Sequence, residues 1–237
     1  MSIQPSPDTA STGLWPLCGV LAGVTGAVSM MFTDQPLPPE TKRDGVEAVY
    51  AALTQQGLVR AGASLGFITL LLLLVFALGF LRFMARRTRE EDLLVAAARL
   101  GFTAGIGTLA LTSSLKAMLA GGMAGGIDQN LYTHTDVAVL HLLVDQGQWA
   151  GWWPVSIAVG ATTLWSLRSR LLPLWMGALS GLVATFIAFM TLVRGLPYSA
   201  GLTIPFWLIL VSPGFWFIRS ASRLPVEPTP SHNRAVP

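Results

Sequence analysis

His141, Asp145, Gln148 and Trp152 lie at offsets of zero, four, seven and eleven along the chain. At about 100° per residue, these side chains fall within about 60° of one another on a helix. Val139, Leu140, Leu142, Leu143 and Val144 surround them, so a narrow polar stripe runs down an apolar segment; His134 extends it if the helix starts early enough. A carboxylate one turn from an imidazole can fix its tautomer and raise its pKa, which suits proton transfer. In an enzyme, His141 and Asp145 would be the acid–base pair. In a binding protein, His141, Asp145, Gln148 and Trp152 would be contacts to a ligand, with Lys116 and Asp136 at the rim. The same pair could give a metal two ligands, but no third is evident, so neither a metal nor a cofactor is expected. The competing, blander reading sets residues 134–148 above the hydrocarbon. Trp149, Trp152 and Trp153 would then be headgroup-level indoles and the stripe would face water or a neighbouring helix.

What positions these residues follows from composition. The chain has 237 residues, of which 52% are hydrophobic and only 11% charged, and its mean hydropathy is +0.59. Soluble domains carry about 25% charged residues, so the totals point to an all-α polytopic membrane protein. One cysteine, Cys18, excludes an internal disulfide or a cysteine metal cluster. There is no phosphate-binding loop or dinucleotide fingerprint. A net charge of +3, dispersed along the chain, argues against nucleic acid as a partner.

A hydrocarbon core about 30 Å thick needs about 20 apolar residues in a helix. Six spans qualify: 14–32, 62–83, 93–119, 149–167, 174–193 and 200–218. They form one domain, 14–219, between a short N-terminal segment, 1–13, and a Pro- and Ser-containing tail, 220–237, expected to be disordered. Residues 1–13 contain no Lys or Arg, so the first span is expected to be retained rather than cleaved. One side of the layout holds nine basic residues, including Arg82, Arg86, Arg87, Arg168 and Arg170, and the other holds five. The richer side faces the cytoplasm by the positive-inside rule, which puts both termini there. On the outer side, Asp44 and Glu47 read as a capping box, and Val46, Val49, Tyr50 and Leu53 predict an amphipathic helix over 45–56. With residues 121–148 it would cap an outward-facing vestibule.

Gly19, Gly23 and Ala27, then Gly101 and Gly105, then Gly177 and Gly181 repeat at four-residue spacing. Such faces let membrane helices approach closely, and intramolecular packing is favoured over a docking face for a partner. Arg99 and Lys116 share the third span. Seventeen residues separate them, roughly 25 Å of helix, so each is expected to snorkel to its own interface. Pro154, Pro205 and Pro213 lie inside spans and can kink them. Gly177-Ala-Leu-Ser180-Gly181 has the form of the serine turn of intramembrane rhomboid proteases, but the one later histidine, His232, is in the tail. His134 and His141 share one segment, so a bis-imidazole haem site fails too.

The join Pro173-Leu174-Trp175-Met176-Gly177 resembles the proline-x-tryptophan-leucine-glycine turn of an uncharacterised group of six-span bacterial integral membrane proteins, a domain of unknown function. Asp145 with Gln146 and Gln148 would match the acidic helix start before that group's fourth span, with Gln where Asn is usual. The resemblance covers the layout of most of the chain and implies a multi-pass fold in a bacterial inner (plasma) membrane, with no activity attached. The expected function is to bind or pass a small lipophilic ligand through the vestibule. The alternatives are an intramembrane enzyme acting on an isoprenoid- or lipid-like substrate, and a structural subunit or homo-oligomer docked through its small-residue faces. In all three the lipid bilayer is a partner.

Overall fold

A computed structural model describes residues 14–33, 46, 56–88, 92–120, 133–169 and 172–221. Seven helices account for nearly all of them: α1 Trp15–Thr33, α2 Gln56–Ala85, α3 Leu93–Leu119, α4 His134–Ala150, α5 Val155–Ser169, α6 Leu174–Leu192 and α7 Ser199–Ala221. No strand occurs among the described residues. The 45–56 helix, the glycine-rich 121–132 segment and both chain ends fall outside the described residues, apart from helical Val46 and the start of α2 at Gln56.

Five helices, α1, α2, α3, α6 and α7, are long and apolar enough to cross a bilayer. Large apolar side chains point outward along them, among them Leu71, Leu78, Leu100, Leu111, Leu182, Leu202 and Phe206. That distribution suits lipid as the solvent, and the protein is an all-α polytopic membrane protein. The fourth expected span, 149–167, is not one helix. The chain leaves α4 at Ala150 and re-enters helix at Val155, through a turn over Gly151–Pro154. Pro154 has no N–H to offer the Ala150 carbonyl, which instead accepts from Trp153 at 2.9 Å. Three-residue closures of this kind tighten the whole turn, with Trp152 N–H on Trp149 and Val155 N–H on Trp152. Pro205 and Pro213, by contrast, lie within an uninterrupted α7.

The ring runs α1–α2–α3–α5–α6–α7 and closes by contact of α7 with α1. Its centre is aromatic: Trp15, Phe76, Phe80, Phe83 and Phe215 form a chain of tilted, stacked and edge-on contacts, joined by Phe102 and Trp165. Edge-on rings add specificity to the burial they provide. α4 lies against α3, α7 and α1. The helix ends are locally encoded. Asp92 caps α3 by accepting from the Leu94 N–H at 2.9 Å, and Gly195, at φ 67°, takes the left-handed turn between α6 and α7.

The small-residue faces are intramolecular. A Cβ on Gly19 would strike Ser212 and Phe76, and one on Gly23 would lie 2.5 Å from the Pro205 carbonyl. At Gly101 a Cβ would meet Ala158 N at 2.8 Å and Pro154 O at 2.9 Å, both backbone atoms that cannot swing away. Gly177 packs on Ser166 and Gly181 on Thr163. Ser180 of the serine-turn pattern is fully buried, donates to Met176 O and accepts from the Trp207 indole at 2.9 Å. It is a packing residue.

Gly101→Val should therefore lower stability by about 1–3 kcal/mol through overpacking. Gly107→Ala, on the same helix with open space around it, should be neutral or stabilising by up to about 1 kcal/mol. Thermal unfolding of the two variants in one detergent checks the contrast.

Candidate functional site

The site lies where α1 and α3 finish and α2 begins. Lys116, in the last turn of α3, is only 3% exposed. Its ammonium donates to the carbonyl of Ser29 at 3.1 Å and to the Ser29 hydroxyl at 3.0 Å. Ser29 in turn donates to the Gly62 carbonyl at 2.7 Å, so one lysine ties α1, α2 and α3 together. Snorkelling was expected and does not occur. Lys116 turns inward because the end of α1 offers the Ser29 carbonyl and hydroxyl and the negative pole of its helix dipole. Nor is it a rim residue: it forms the polar centre of the site.

Gln148, near the end of α4, faces the same place and is 2% exposed. Neither its Nε2 nor its Oε1 has a hydrogen-bond partner among the described residues. Trp152, in the turn between α4 and α5, is also buried and packs over Gly26. It faces the interior of the bundle and not the lipid. Trp153 is the exposed neighbour, and its indole donates to the Thr191 hydroxyl at 3.1 Å. Between Lys116, Gln148, Trp152, Ser29, Thr69 and Thr112 lies a cavity of about 20 Å³, measured as the space open to the centre of a water molecule. One water needs about 10–15 Å³ on that measure, so the cavity holds one or two small atoms.

The hydroxyls around it are mostly committed. Thr112 donates to Leu109 O at 3.1 Å, and Thr69, whose hydroxyl is 2.8 Å from that of Thr25, also reaches Leu65 O. At the break itself the Thr108 hydroxyl donates to Gly151 O at 2.7 Å, which fixes the turn against α3. Irregular backbone at this depth is tolerated where it lines a cavity or is buried in protein.

The polar stripe therefore divides. Lys116, Gln148 and Trp152 come together at the cavity, whereas His141, Asp145 and Asp136 do not line it. His141 and Asp145 are half-buried further back along α4, and Asp145 accepts from Gln146 Nε2 at 3.1 Å. Asp136 is exposed and forms a capping box with Thr133, accepting from its N–H at 2.8 Å and its hydroxyl at 2.7 Å. Those bonds hold its carboxyl below the ordinary value. Val139, Leu142 and Leu143 are exposed on the same helix. Ser29, Thr69 and Thr112 were missed in the sequence, where nothing distinguishes them from other hydroxyls in spans. Among the described residues no group of three His, Cys, Asp or Glu could hold a metal.

No family model matches the chain, and no curated protein or solved structure matches it either.

Asp136→Ala should fray the first turn of α4, read as faster amide exchange at the N–H groups of Thr133 and Asp136. In the native protein the same fraying should be absent above the ordinary carboxylate range. It should set in as pH falls through the lowered pKa of Asp136, because a depressed carboxylate stabilises only while ionised.

Proposed function

We propose that the protein binds a small ligand within a bacterial inner membrane, both termini cytoplasmic, with Lys116 as the charged contact and Gln148 as the directional one. The nine-to-five basic asymmetry supports this orientation and puts the cavity at the outer end of the bundle. The layout and the Pro173–Gly177 join support the bacterial assignment.

The observation that carries the reading is that, among the described residues, a buried ammonium has only neutral acceptors and lies beside a buried amide with no partner. Burying a charge is expensive, and a well-packed apolar side chain in the same place is often at least as stable. An uncompensated pair of this kind, converging on space, is what a small-molecule site requires. Intramembrane cations are functional sites by default for the same reason. The lipophilic part of a ligand needs no cavity here, since lipid surrounds the bundle; only its polar group has to reach Lys116. The acid–base reading is less well supported, because His141 and Asp145 do not line the cavity. The subunit reading loses its docking faces, since Gly19, Gly23 and Gly177 are used inside the bundle.

Native mass spectrometry of protein released gently from its membrane tests the proposal. Wild type should retain a small molecule that Lys116→Met loses, while Lys116→Met unfolds at the same or a higher temperature than ligand-free wild type. Equal retention by both proteins, or a Lys116→Met variant that unfolds well below ligand-free wild type, would make Lys116 a structural residue.

A further inference from the structure

Resting on that reading, we infer that the atom bound between Lys116 and Gln148 is anionic: a halide-sized ion, or one oxygen of an acidic headgroup. It bridges α3 to α4.

The ammonium and the unspent N–H groups around it carry the argument. A lysine ammonium has three N–H donors, and a glutamine amide has two together with one acceptor oxygen. Lys116 spends two of its donors on Ser29 O and Oγ. One ammonium N–H and both amide N–H groups of Gln148 are left for the cavity. Thr112 directs its hydroxyl hydrogen away, to Leu109 O. The free donors are therefore three N–H groups, one of them on the Lys116 ammonium, and they face the Gln148 amide oxygen and the hydroxyl oxygens of Thr112 and Ser113.

Among the described residues no Asp or Glu lines the cavity. A metal cation there would meet an ammonium, so it is disfavoured on charge. A neutral water satisfies some of the donors but leaves the charge uncompensated in a low-dielectric surrounding. An anion does both. The available space, about 20 Å³, suits a monatomic ion or a single oxygen rather than a whole polyatomic group.

The second consequence is mechanical. Lys116 belongs to α3 and is anchored to α1, while Gln148 belongs to α4, one turn before the break at Gly151–Pro154. No hydrogen bond joins Gln148 to Lys116 directly among the described residues. A shared anion supplies the missing link, so occupancy should hold the end of α4 down on the bundle.

The test uses the full chain in neutral detergent, stripped of acidic lipid. Sodium chloride or bromide is titrated against sodium gluconate at constant ionic strength, and phosphatidylglycerol is added in a separate arm. The readouts are unfolding temperature and hydrogen exchange across 144–152. A halide rise in unfolding temperature and protection of 144–152, both abolished in Lys116→Met and weakened about tenfold or more in affinity by Gln148→Leu, supports a free anion. The same pattern with phosphatidylglycerol alone assigns the atom to a headgroup. Gln148→Leu keeps the inference testable if Lys116→Met fails to fold. Indifference of wild type to both additives overturns the inference, as does a response that survives both substitutions. Mass-spectrometric retention of a neutral molecule by wild type but not Lys116→Met, with no anion response, leaves the ligand-binding reading standing and this inference refuted.

Discussion

Close backbone approach at glycine is the constraint on which the rest of this bundle depends. Lipid gives helices no hydrophobic reason to associate, so contact area and short interaxial distance must do that work. Gly19 and Gly23 let α1 settle against α2 and α7, and Gly101 and Gly105 let α3 receive the turn at Pro154 and Val155. Because α3 and the broken segment are so near, the Thr108 hydroxyl can reach Gly151 O at 2.7 Å. That bond stabilises the interruption which places Gln148 and Trp152 over the end of α3. The polar cavity is thus a product of the packing of small residues, not of polar residues seeking one another.

Lys116 complements that arrangement. Its stem lies in the apolar interior while its head gathers the Ser29 carbonyl and hydroxyl, with Ser29 passing the link on to Gly62. Among the described residues the charge meets oriented dipoles and no carboxylate. Such balance is partial, because helix termini carry only fractional charge, about half a unit each. The remaining deficit is what makes the place receptive.

Much of the fold was legible in the sequence, and the reasons are physical. Hydrocarbon thickness sets helix length, so apolar runs such as 93–119 and 174–193 could be read almost to the residue. Four-residue glycine spacing gave the packing faces correctly. The break in the fourth span was missed because composition registers apolarity and not continuity: Trp149 to Leu167 carries no charged residue, yet Pro154 leaves the Ala150 carbonyl to a different donor and divides it. Half of the candidate site was legible. Lys116, Gln148 and Trp152 were singled out, but helical phase alone could not tell that Gln148 faces inward while Asp145 bonds to its neighbour Gln146. The Lys116–Ser29 contact joins positions 87 apart in the chain. No local pattern encodes a pairing of that range, and the distance argument that favoured snorkelling ignored the carbonyls waiting at the end of α1.

The ring is closed by contact between its first and last helices, α1 and α7, with Ser212 and Pro205 seated against Gly19 and Gly23. During synthesis the amino-terminal helix emerges first, and domains otherwise tend to assemble in that order. Here α1 can meet α2 early, but its second face has no mate until the final membrane segment has left the ribosome. For that interval a glycine-lined groove stands open to the bilayer. The seam between α1 and α7 therefore forms only after the helices between them have been made.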